Sequence, residues 1–180
     1  MIDTIIDKFT HIYESIGKLN NEAVQLWKTE ILFSWRWWVA LGLLCVPWGI
    51  WLKVKPKIGW GRYLIAGLIV YVIASILDSI GIAYAMWLYP INILPYLHTF
   101  YLPWDLSIAP VSTMMFLQYF ERYSVYKIAA AYSLLAAYVV EPIIVWLKLY
   151  EPLTWKHSYG VPIYFLIYLL ANKVSRMKHF

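Results

Sequence analysis

Asp78, Asp105 and Glu141 are acids set inside long apolar runs, and no Lys or Arg occurs between Arg62 and Arg122, the stretch that holds the first two. An ionisable side chain at the centre of a bilayer costs about 2.5–3.5 kcal/mol on insertion scales, so it persists where it lines a site or meets a partner. Carboxyls in such a place can do two kinds of chemistry. They can contribute to a hard-cation site, with water and Ser or Tyr oxygens completing the shell. They can also hold a proton in a dry pocket and give it to an alkene or a lipid oxygen. A transition-metal site is not expected, because His11, His98, His157 and His179 lie outside the apolar runs and none is spaced i, i+4 from another. The sequence has no Ser-His-Asp set, phosphate-binding glycine loop or dinucleotide glycine pattern, which argues against hydrolase and nucleotide chemistry, and no cofactor is expected.

Each acid lies on a lane of small or hydroxyl residues at helical spacing: Ser75 and Ser79 with Asp78, Ala109 and Thr113 with Asp105, Ser133 and Ala137 with Glu141. Small side chains let helix backbones approach and acids avoid lipid, so the three carboxyls are expected to converge between the second, third and fourth spans. Each also has a plainer reading. Asp105 follows Pro103 by two residues, as at a helix start, and could pair with Arg36. Glu141 precedes Pro142, whose ring and missing N–H leave the Tyr138 carbonyl without its helical partner, so a kink is expected there. Asp78 has no basic residue on its own helix; counted back from Trp87 it lies deepest, about 14 Å from the interface.

The elements that position these residues follow from composition. With 180 residues, 62% hydrophobic and 14% charged, and a mean hydropathy of +0.61, the chain is expected to be an all-α integral-membrane protein. Five spans are expected, at residues 33–52, 63–89, 101–120, 126–147 and 161–171; the last is short, and four spans plus a re-entrant segment is the alternative. Lys53, Lys55, Lys57, Arg62, Arg122, Lys127, Lys173, Arg176 and Lys178 then fall on one side, which the positive-inside bias makes cytoplasmic, with the N-terminus outside. The net charge of +5 is spread over span ends, so nucleic acid is not an expected partner. Cys45 is the only cysteine, which excludes an intrachain disulfide. Residues 1–32 form a unit apart from the bundle at 33–180. In it Ile2, Ile5, Ile6, Phe9, Ile12, Tyr13, Ile16 and Leu19 mark one face of an amphipathic helix, expected to lie in the lipid interface, to pack on the bundle, or to act on the outer surface as a lid or a partner-binding helix.

The run Tyr101-Leu102-Pro103-Trp104-Asp105 resembles the Pro-Trp-Asp signature of the small membrane lycopene cyclases, in which an acidic motif follows about one span later. Glu141-Pro142 stands at that place here, with one Glu before the Pro where that family has paired acids after it. The resemblance implies an isoprenoid- or lipid-modifying enzyme with Asp105 and Glu141 as acids and the rings of Trp104 and Tyr101 stabilising positive charge. Over its whole length the chain is similar to an uncharacterised family of small multi-pass proteins of Bacillus- and Clostridium-type bacteria, through Arg36-Trp37-Trp38, the Pro-Trp-Asp run and Glu141-Pro142. That likeness implies the plasma membrane and no activity. The leading expectation is a non-enzymatic structural or binding protein with a carboxylate-lined pocket in the outer half of the bundle, drawn from Asp78, Asp105, Glu141, Trp104, Tyr101 and Arg36. Its expected partners are membrane lipid and further copies of itself. The alternatives are the lipid enzyme and a small ion or proton-coupled transporter.

Overall fold

The computed structural model describes residues 2–95 and 99–177, and its regular structure is almost entirely helical. Helix α1 (Ile2–Leu26) leads through a π-helical turn (Trp27–Ile31) to α2 (Trp35–Val54) and α3 (Trp60–Ala83). A second π-helical stretch (Pro103–Ile108) runs directly into α4 (Ala109–Tyr119). The next rod joins α5 (Val125–Leu135), a π-helical stretch (Ala136–Val140) and α6 (Glu141–Trp146), and α7 (His157–Ser175) closes the bundle. Among the described residues, three rods are long and apolar enough to cross a membrane: Trp35–Val54, Trp60–Ala83 and Val125–Trp146.

Three features depart from the sequence reading. The second span was expected to reach residue 89, but α3 stops at Ala83, where Met86 N–H turns back to the Gly81 carbonyl at 2.8 Å. Ala85 takes the left-handed conformation (φ 49) that this type of helix end requires. Secondly, the final helix is longer than residues 161–171, because it starts at His157 and carries Pro162 within its first turns. Thirdly, a small antiparallel ribbon pairs β1 (Trp87–Leu88) with β2 (Glu151–Pro152), in the register Trp87 to Pro152 and Leu88 to Glu151. The chain enters β2 through another left-handed residue, Lys148 (φ 59), after Leu149 N–H has closed on the Ile144 carbonyl. Such short pieces leave no periodic signal in sequence.

The five rods after α1 alternate in direction, as the contacts at their ends require. At one end Gln118 donates to the Val54 carbonyl at 2.7 Å, and Arg62 grips Glu121 with two bonds of 2.9 Å each. Tyr63 also donates to Glu121, and Arg176 donates to the Glu121 carbonyl. The end of α2, the start of α3, the end of α4 and the end of α7 therefore meet at this basic end. Beneath it lies a core that includes Trp51, Tyr63, Met114, Leu117 and Tyr168. The opposite, ribbon end has its own core of Trp87, Ile93, Tyr101, Leu149 and Tyr150.

Helix α1 stands apart. Its chief contact is the π-helical turn that follows it, which Trp27 pins by donating to the Asn92 carbonyl at 2.8 Å. Its apolar face is exposed along its length, with Ile5, Phe9, Ile12 and Ile16 all open, so it does not pack on the bundle.

Candidate functional site

Two of the three acids are set by wide helical turns that prolines enforce. Asp105 lies inside the Pro103–Ile108 stretch, and Glu141 is the first residue after the Ala136–Val140 stretch. Pro110 and Pro142 lack the N–H that an α-helix would direct to the carbonyl four residues back, and the backbone upstream widens into π-helical turns. For Pro110 the stranded carbonyl belongs to Leu106, and Trp48 of α2 donates its indole N–H to it at 2.9 Å. Asp78 needs no such device. It lies five residues before the end of α3, roughly 7.5 Å along the helix axis.

Asp78 and Asp105 are close neighbours on the same cavity wall. Tyr89 donates to Asp78 Oδ1 at 3.1 Å, and the backbone N–H of Tyr101 donates to Asp105 Oδ2 at 2.9 Å. The other two oxygens, Asp78 Oδ2 and Asp105 Oδ1, are buried with no donor. Two neighbouring carboxylates without a cation repel, so the pair favours carrying a proton or meeting a positive charge. The Tyr89 ring is held in place by stacking on Tyr101, with centroids 4.4 Å apart and planes within 7°.

Glu141 is held differently. Its Oε2 lies 2.6 Å from His157 Nδ1, and its Oε1 accepts from the Tyr164 hydroxyl at 2.5 Å. Both partners come from α7, one at its start and one two turns on. Gly160 makes room between them, since a Cβ there would sit 3.2 Å from Glu141 Oε1 and 2.9 Å from the Tyr164 ring.

All three acids line one cavity of about 250 Å³. Trp104 lines it as well, its ring 6.2 Å from that of Tyr164. Apolar side chains of α3, α6 and α7 and aromatic rings form most of the remaining wall, and no Lys or Arg lines it. The ribbon covers its end: the Met86 carbonyl accepts from the backbone N–H groups of Leu153, Thr154 and Trp155, and the Trp87 and Trp155 rings meet edge to face at 4.9 Å. Trp87 fits only because position 81 is glycine, where a Cβ would come within 2.0 Å of the indole.

Two residues expected at the site act elsewhere. Arg36 does not pair with Asp105. Its Nε donates to the Leu147 carbonyl at 3.1 Å and its guanidinium lies 4.5 Å from the Trp35 ring centroid, so it caps the end of α6. The ring of Tyr101 is wholly buried behind Tyr89 and off the cavity wall; only its backbone N–H serves Asp105. Conversely, Tyr89, Tyr164 and His157 hold the acids, and sequence reasoning missed all three. Tyr and His are unremarkable next to span ends, and no spacing rule links residues 141 and 157 on separate helices. Among the described residues, no group of three or more His, Cys, Asp or Glu side chains is gathered as a metal site would be; His98 and His179 lie outside them. No family model matches this chain, and no curated protein or solved structure matches it.

Proposed function

We propose that this chain is a five-span protein of the bacterial plasma membrane that binds a small amphiphilic molecule in the cavity at its ribbon end, without transforming it. The observation that carries the reading is the meeting of Asp78, Asp105 and Glu141, from three separate rods, on a mostly apolar cavity with no basic residue in its wall. Pockets of this kind, apolar with a few convergent polar groups, are the usual form of small-molecule sites. The volume of about 250 Å³ lies just below the common range, which suits a slim ligand. The alternating rods and the Lys and Arg residues at one end support five crossings with that end in the cytoplasm, so the cavity lies in the extracytoplasmic half. The likeness to small multi-pass proteins of Bacillus- and Clostridium-type bacteria supports the same membrane.

The transport reading is weakened by the other end of the bundle, where Trp51, Tyr63, Met114, Leu117 and Tyr168 pack into a buried core. The lipid-enzyme reading keeps Asp105 beside Trp104 on the wall, but its second acid, Glu141, is already engaged by His157 and Tyr164. The test is thermal unfolding of the purified protein in detergent with n-octylamine, n-octanol or n-octanoate. At least one should raise the Tm of the native chain and fail to raise that of Ala74→Phe, which fills the cavity. If none of the three shifts either protein, the binding reading is wrong.

A further inference from the structure

We infer that the cavity takes an amine: one positively charged nitrogen on a slim apolar tail. This rests on the binding reading above and adds the charge and shape of the ligand. Asp78 and Asp105 are 7% and 0% exposed, both line the cavity, and each keeps one buried oxygen that accepts no hydrogen bond from the protein. A ligand that pairs with both acids must bring hydrogen-bond donors and positive charge to the same place. An alkylammonium does both, with three N–H bonds for two carboxylate oxygens, and such charge-assisted bonds are roughly twice as strong as neutral ones. The rings of Trp87, Tyr89 and Trp104 line the same cavity, and a cation gains further from aromatic rings in a desolvated site.

The other ligand charges fit less well. An anion would meet acids and no basic side chain. A neutral alcohol offers one hydrogen to two unpartnered oxygens. A divalent cation wants six or more oxygen ligands, and no group of three metal-ligating side chains is gathered among the described residues. The tail follows from the wall and the entry. The polar end is roofed by Trp87 and Trp155, whereas Ile80, on the flank of α3, is the one lining residue that is exposed, at 49%. In a membrane-spanning bundle that flank faces lipid, so the ligand enters sideways from the bilayer, as an amphiphilic amine can and a fully hydrated cation cannot.

The decisive experiment compares dissociation constants of n-octylamine, n-octanol and n-octanoate for the detergent-solubilised full chain and for Asp78→Asn and Asp105→Asn. The native protein should bind the amine tightest. Each Asn variant should lose about tenfold or more for the amine while holding the alcohol within about twofold, which also reports that the variant's cavity is intact. Alcohol or octanoate binding as tightly as the amine, or Asn variants that keep full amine affinity, would overturn the amine assignment while leaving the binding site standing. Absence of all three from the native protein would remove the site itself.

Discussion

Glu141 shows how much a single side chain can hold. Its two oxygens tie the fourth rod to both ends of the first two turns of α7, through His157 and Tyr164. Glutamine keeps the length and one carbonyl oxygen for the Tyr164 hydroxyl, and its amide can donate to His157 Nδ1 in the tautomer that accepts. Glu141→Gln should therefore unfold within about 1 kcal/mol of the native chain. Glu141→Leu strands the Tyr164 hydroxyl in the interior and should cost about 1–3 kcal/mol. Thermal unfolding of both variants in one detergent checks the pair; equal losses would mean that the hydrogen bonds contribute little. The acids were legible in the sequence because they are chemically out of place in apolar runs. Their partners were not, because a tyrosine beside a carboxylate looks like any other of the sixteen in this chain.

At the scale of elements, proline placement and helix ends do most of the positioning. Trp48 satisfies the Leu106 carbonyl that Pro110 leaves without its α-helical donor. Trp48→Phe keeps the ring packing but removes that donor, so a loss of about 1–3 kcal/mol is expected, and less of it in a Pro110→Ala background. A double-mutant cycle of thermal stabilities measures the difference, and additive losses would count against the coupling.

At the basic end, the Arg62 hydrogen bonds hold the Glu121 carboxyl below its ordinary pKa, with Tyr63 adding a smaller pull. A depressed folded-state pKa contributes stability above the unfolded value of about 4.3, and that stability is lost as pH falls through the folded value. Glu121 is 43% exposed, so solvent screening limits the pair to about 1 kcal/mol or less. The stability gap between the native chain and Glu121→Gln should thus be small near neutrality and vanish on acidification; a gap that widens in acid would contradict the pairing. The rods themselves could be read from hydropathy within a few residues, apart from the end of α3 and the start of α7. There the left-handed Ala85 and the ribbon override an apolar run that would otherwise continue, and neither has a periodic signature.

For the molecule as a whole, orientation is the most consequential expectation. A single cysteine in place of Lys18 should react with an impermeant maleimide on intact cells, and one in place of Lys57 should react only after lysis, with Cys45 changed to Ala in both. The reverse pattern would turn the cavity toward the cytoplasm. The layout of the cavity wall also has a consequence for synthesis. Gly160, Ile163, Tyr164 and Ile167 close one side of it, and all belong to α7, which is synthesised after the rods that carry the acids. If the five rods cross the membrane as proposed, a nascent chain that has inserted its first four presents acidic side chains to lipid or to a neighbouring protein, at about 2.5–3.5 kcal/mol for a charged acid at the bilayer centre. Such a chain is a natural client for a membrane insertase and a target for membrane proteases. Truncation after Lys156 should shorten the lifetime of the protein in a pulse-chase experiment far more than removal of residues 1–26, since α1 contributes nothing to that wall.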